Sequence, residues 1–279
     1  MDDGARFDGG PADDDRSDET VTSETRIDSA GTLPDGAFPL SGAQRGIWFA
    51  QQLAGDVPIA IAHYVELNGH LDLDRLEYAL DRAGREFGSG YLRLAEVDGE
   101  PFQYVDLSMR DHISYLDLRS ESDPEAAAME WMTREYSAPV DMLVDRLVVS
   151  HVLQLSDERW FWYSRIHHVA LDGFGAMTMI QRTAALYTAA VEGREPEPSK
   201  AVDLNDLYVD DAKYRSSDRF EKDAAYWAER VRSLPDPPSL SAVTAPPTSP
   251  ALIAGGFVST DLAERLDRRV TELGTASAP

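Results

Sequence analysis

Trp160-Phe161-Trp162-Tyr163-Ser164-Arg165-Ile166-His167-His168-Val169-Ala170-Leu171-Asp172-Gly173 is the stretch on which the fold turns. Its first nine residues are rich in aromatic and apolar side chains and read as a strand. Trp160, Trp162, Ser164, Ile166 and His168 lie on one face, and Phe161, Tyr163, Arg165 and His167 on the other. Leu147–Leu155 reads as a partner strand, and Ser156-Asp157-Glu158 between the two marks a hairpin. Beyond Asp172-Gly173 the period changes. Phe174–Val191 places Met177, Ile180, Ala184, Tyr187 and Val191 on one side of a long helix.

Working outward, Ser41 starts a short helix carrying Ile47, Trp48, Phe49 and Leu53. Ile61–Leu67 reads as a strand. Asp72–Phe87 is amphipathic, with Leu73, Leu76, Leu80, Ala83 and Phe87 at helical spacing. Tyr91–Leu94 and Phe102–Leu107 read as strands around a turn at Asp98-Gly99, and Ile113–Leu118 as another. Asp123-Pro124 starts a helix that stops near Pro139, with Asp as the cap and Pro at its first position. Phe220–Leu234 is a further helix. Six of the sixteen prolines fall between Pro235 and Pro250, which reads as a linker. Leu252–Val258 reads as a strand and Asp261–Leu273 as a helix. Hairpins mixed with strand–helix units imply an α/β layered sandwich.

The 279 residues carry 26 Lys and Arg against 50 Asp and Glu, a net charge of -24. A surface this acidic argues against nucleic acid and against an anionic membrane as partners. The absence of cysteine excludes disulfides, iron–sulfur centres, thiolate zinc sites and a cysteine nucleophile. No signal-type or membrane-spanning apolar run is present, so a cytoplasmic location is expected. Residues 1–37 hold eleven acids and three arginines with few large apolar side chains, and read as a disordered acidic leader.

The chemistry concentrates at His167-His168-x-x-x-Asp172-Gly173. Imidazole is the side chain best suited to hold or move a proton near neutral pH, and strand ends are where loops form clefts. Adjacent strand residues face opposite ways, so the two histidines cannot share one pocket or easily grip one metal. We therefore expect no metal, with His167 structural. Asp172 bonds back to its loop or holds an arginine. Gly173 permits an unusual backbone angle and a close approach. At average residue frequencies the pattern arises in fewer than about one chain of this length in a thousand.

That motif resembles the signature of the nonribosomal peptide synthetase condensation domain. Ser41-Gly42-Ala43-Gln44 with Gly46-Ile47-Trp48-Phe49 resembles the family's opening motif, and Tyr91-Leu92-Arg93-Leu94 its second. Leu204–Trp227, with Tyr208, Tyr214, Tyr226 and Trp227, resembles the region after the long helix. Ala62-His63-Tyr64-Val65-Glu66-Leu67 and Asp223-Ala224-Ala225-Tyr226-Trp227-Ala228-Glu229 look most like members opening the serine-activating component of a siderophore synthase. A histidine that many members carry before the Leu-Arg pair is replaced here by the run Phe87-Gly88-Ser89-Gly90.

The resemblance implies a chloramphenicol-acetyltransferase-like two-layer sandwich lobe with only the start of a second. Residues 38–192 would be the N-terminal lobe. Residues 193–250 would be a bridging helix and linker, and 251–279 the beginning of a truncated C-terminal lobe, inactive in isolation. It implies amide formation between substrates delivered on 4'-phosphopantetheine arms by donor and acceptor carrier proteins. An adenylation domain would be adjacent, and no cofactor would be bound by the domain itself. His168 would be the imidazole nearest the reaction, as general base or as a positioning group. Gly173 would steady the tetrahedral intermediate through its N–H, with His167 supporting. Asp172 would be held by an arginine, either Arg93 or Arg165. Alternatives are an acyl-CoA-dependent acyltransferase of the same superfamily and a non-catalytic recruitment module.

Overall fold

The computed structural model describes residues 32–109, 113–235, 248–250 and 258–275. Most of the acidic leader, and all of Leu252–Val258 except its last residue, lie outside the described residues.

The hairpin that the sequence marks is the centre of the fold. Val148–Ser156 and Arg159–His167 pair antiparallel, Val152 opposite Trp162. With Phe38–Pro39 as β1, Ala60–Asn68 as β2, Leu92–Val97 as β3, Glu100–Val105 as β4 and Ser114–Asp117 as β5, these two strands are β6 and β7. One sheet runs β2-β7-β6-β5. The β2/β7 pair is antiparallel, whereas β5 lies parallel to β6. A second sheet, β1-β4-β3, is antiparallel throughout.

Helices cover both faces of the larger sheet. Leu73–Phe87 (α2) and Gly173–Glu192 (α4) pack on one face, where Leu76, Leu80, Ala83, Met179 and Leu186 meet Val148, Val152, Trp160, Trp162 and Ile166. Pro124–Ser137 (α3) packs on the other, where Ala128 and Met132 meet Leu153, Leu155, Phe161 and Tyr163. The strand is therefore buried on both sides. That matches its near-continuous apolar run and the alternation read from the sequence. Each fully buried Leu or Phe contributes about 1.5–3 kcal/mol of transfer free energy, so this three-layer core is the main source of stability.

Gly42–Ala54, the first helix (α1), is closed by a capping box. Ser41 Oγ accepts the Gln44 N–H, and Gln44 Oε1 accepts the Ser41 N–H. Trp48 from α1, Leu40, Leu92, Leu94, Met142 and Leu147 form a cluster that also buries Val169. The loop after β7 is thereby tied to the smaller sheet. Leu204–Arg215 (α5) and Asp218–Arg232 (α6) follow, then Thr260–Glu272 (α7). Among the described residues no helix is long and apolar enough to cross a membrane.

Candidate functional site

The loop between β7 and α4 is held at both ends by backbone bonds. The His167 N–H donates to Leu147 O (2.7 Å), and the His168 N–H donates to Ile59 O (2.9 Å). The Ala170 N–H then turns back to His167 O (2.9 Å). At the far end Asp172 caps α4, its Oδ1 accepting the Gly175 N–H at 2.8 Å.

The two histidines end in different surroundings, His167 as the last residue of β7 and His168 in the turn that follows. His167 is fully buried. Its Nε2 lies 3.2 Å from Gln51 Oε1, and its Nδ1 accepts the Val169 N–H at 3.2 Å. Burial, with smaller contributions from the charges of Arg165 and His168, pushes its pKa down to about 4, so the ring is neutral near pH 7. His168 is half-buried, and no hydrogen bond to its ring is found among the described residues. One imidazole is thus fully engaged in the interior, while the other is half-buried with no hydrogen bond to its ring among the described residues.

Two expectations need correction. Neither Arg93 nor Arg165 pairs with Asp172. Arg165 lies on the β7 face that α3 covers, and its Nε meets Glu135 Oε1 at 2.8 Å; Glu135 also accepts the Tyr163 O–H. Arg93 donates to the carbonyls of Leu143, Val144 and Asp145 at 3.3, 2.9 and 3.2 Å. Asp172 instead caps α4 through the Gly175 N–H. Gly173, likewise, has no left-handed backbone. Gly193 at the other end of α4 takes φ +65°, while Gly173 is simply the first helical residue. A Cβ at Gly173 would meet no atom within 4 Å, so the approach to this helix start is open. That N-terminus, with its unsatisfied N–H groups, is suited to developing negative charge.

Helix α1 supplies what the motif alone does not show. Gln44 Nε2 donates to Val169 O (3.1 Å) and pairs with Gln103, which reaches Pro39 O. Gln51, seven residues on and on the same helix face, meets His167. The helix start is docked by Asp211 of α5, which accepts the Gly42 N–H at 2.8 Å. The i, i+7 spacing of Gln44 and Gln51 was the signal available in the sequence. A cavity of about 330 Å³, lined among others by Trp48, Gln51, Glu96 and Asp141, opens beside this helix. Among the described residues no group of three or more His, Asp or Glu side chains is arranged to hold a metal.

Residues 35–277 match the condensation-domain family. The dimodular nonribosomal peptide synthase of Bacillus subtilis (strain 168) is 38% identical over 213 residues, covering 76% of this chain and 9% of that protein. Enterobactin synthase component F of Escherichia coli (strain K12) is 35% identical over 231 residues, covering 81% of this chain and 17% of that protein. Among solved structures, a double mutant of the starter condensation domain of rhizomide synthetase RzmA, in complex with C8-CoA and Leu-SNAC, superposes with a TM-score of 0.72. It is 32% identical, over 75% of this chain and 48% of that one. The chain therefore spans a small part of its curated relatives and about half of this solved one.

Proposed function

This chain belongs to the condensation-domain family of the nonribosomal peptide synthetases, and on that premise we propose that it forms amide bonds between carrier-bound substrates. The acceptor amine's lone pair attacks the donor thioester carbonyl, giving a tetrahedral oxyanion. The C–S bond then breaks, the thiolate of the pantetheine arm departs, and the amine's extra proton passes to His168 or to solvent. The observation that carries this assignment is the contrast between the histidines: His167 is neutral, buried and doubly bonded, whereas His168 is half-buried with no hydrogen bond to its ring among the described residues.

His168 acts as general base or as the hydrogen-bond partner that orients the amine. A free amine is already nucleophilic, so both roles serve the same step. Gly173, first residue of α4, offers its N–H and the positive end of the helix to the oxyanion. Asp172 supports that end by capping it. Within this reading residues 38–192 are one lobe, 193–250 a bridge and 251–279 the start of a second lobe. The donor is an acyl or aryl group, as for a siderophore-type product, in keeping with the likeness to enterobactin synthase component F. Donor and acceptor carrier proteins and a neighbouring adenylation domain are the partners, and the setting is cytoplasmic.

A second reading has a specific observation in its favour. The rhizomide starter domain was solved with C8-CoA, so a coenzyme A thioester is an alternative donor. The test supplies the full-length protein with one aminoacyl carrier acceptor and either acyl-carrier or acyl-CoA donors, and detects product by mass spectrometry. Amide from the carrier-bound donor supports the proposal. Amide from acyl-CoA alone favours the second reading, and no amide from either removes both.

A further inference from the structure

We propose that Gln51 is a positioning residue: it holds His167 in the Nε2–H tautomer, so that Nδ1 accepts the Val169 N–H and fixes the turn bearing His168. The inference begins with backbone groups. Gln51 is buried, and its Nε2 donates to Gly55 O (2.8 Å) and Val57 O (3.0 Å). Its Oε1 accepts the Ile59 N–H at 2.7 Å. Two carbonyls at one end and an N–H at the other leave the amide a single orientation that satisfies all three. The atom facing His167 Nε2 at 3.2 Å is then an acceptor, so that nitrogen carries the proton. Nδ1 is left with a lone pair, and the Val169 N–H donates to it at 3.2 Å. The opposite tautomer would set N–H against N–H at Nδ1 and lone pair against lone pair at Nε2. In a fully buried site both clashes go unrelieved by water.

The same amide reaches His168 by a second route. Ile59, whose N–H is held by Gln51, accepts the His168 N–H through its own carbonyl at 2.9 Å. Gln44, from the same face of α1, holds Val169 O at 3.1 Å. Helix α1 therefore grips the residues on both sides of His168. The short segment Gly55–Ile59, which Gln51 closes on itself, becomes part of the scaffold that sets where the imidazole projects.

The link to catalysis rests on the reading proposed above, whereas the tautomer follows from the hydrogen-bond partners of Gln51 and His167 alone. In the 279-residue chain, ¹⁵N spectra of labelled histidine report the His167 tautomer, and amide exchange reports Val169. We expect a proton on Nε2, none on Nδ1, and a protected Val169 N–H. Gln51→Leu should give mixed tautomers and faster Val169 exchange. In the full-length protein it should lower kcat about tenfold to a hundredfold with KM little changed, the effect of a misplaced group rather than a lost binding contact. Should Gln51→Leu fail to fold, His167 variants decide. His167→Asn keeps an acceptor near the Nδ1 position and should retain most activity, whereas His167→Gln keeps only the Gln51 contact and should not. An Nδ1–H tautomer in the parent, unchanged tautomer and exchange in Gln51→Leu, or equal activity of the two His167 variants would overturn the proposal. An expected tautomer together with a silent His168→Ala variant would instead remove the catalytic reading and leave the positioning of the turn standing.

Discussion

Acid should destabilise this protein through His167 before its salt-bridged carboxylates respond. The folded state holds the ring neutral, with its pKa pushed from 6.5 down to about 4, mainly by burial. An unfolded chain protonates the same ring near 6.5, so between the two values the unfolded state binds more protons. The stabilisation is therefore complete above pH 6.5 and is lost as pH falls toward 4. At about 1.4 kcal/mol per unit, the whole window is worth about 3 kcal/mol, of which about 2 kcal/mol is gone by pH 5. His63 and His151 are shifted the same way by burial, so the parent's slope alone would not isolate His167. The comparison is with His167→Asn, which cannot titrate. Urea midpoints measured from about pH 7.5 to 5 should fall more steeply in the parent, the difference between the two curves reaching about 2 kcal/mol. Asp117, held at about 2 by Arg119, titrates below this range in both proteins. Parallel curves would refute the assignment of His167 as a buried neutral ring.

Two structural predictions follow from the elements that carry the site. Gly90→Ala would set a Cβ 2.7 Å from the Cα of Gly84, where backbone rather than a flexible side chain must move, and should cost about 1–3 kcal/mol in urea unfolding. Asp172→Ala removes the α4 cap and should cost about 1 kcal/mol, while Asp172→Asn keeps the acceptor and most of the stability. An equal loss in the two Asp172 variants would restore an ion pair as the main role of that carboxylate.

The central hairpin was legible because its two strands are buried on both faces, which leaves a long apolar run with turn residues between. Helices α2, α3 and α4 were legible from caps and periodicity. Helix α5 was not read from the sequence, whose resemblance marked the region from Leu204 without giving it a helix. Its run Leu204-Asn205-Asp206-Leu207-Tyr208-Val209-Asp210-Asp211 buries no residue in the described structure and so shows no apolar stripe. The parallel pairing of β5 with β6 has no local signature, because four residues joined through a helix find their neighbour by packing alone. The motif gave His167 and His168 different surroundings as neighbours on one strand; in the structure His167 ends β7 fully buried, and His168 is half-buried in the turn that follows. The arginine expected beside Asp172 failed on geometry: Arg165 points toward α3, where Glu135 meets it first. Gln51 escaped notice because a glutamine in an amphipathic helix reads as solvent-facing until the helix is known to lie beside β7.

The most direct test of His168 is single-turnover amide formation by the full-length protein, with donor and acceptor both loaded on their carriers, comparing the parent with His168→Ala. A lost general base or orienting group should slow the chemical step about 10²–10⁴-fold with the fold and carrier binding intact. Product formed at the parental rate would contradict the assignment of this imidazole to the reaction.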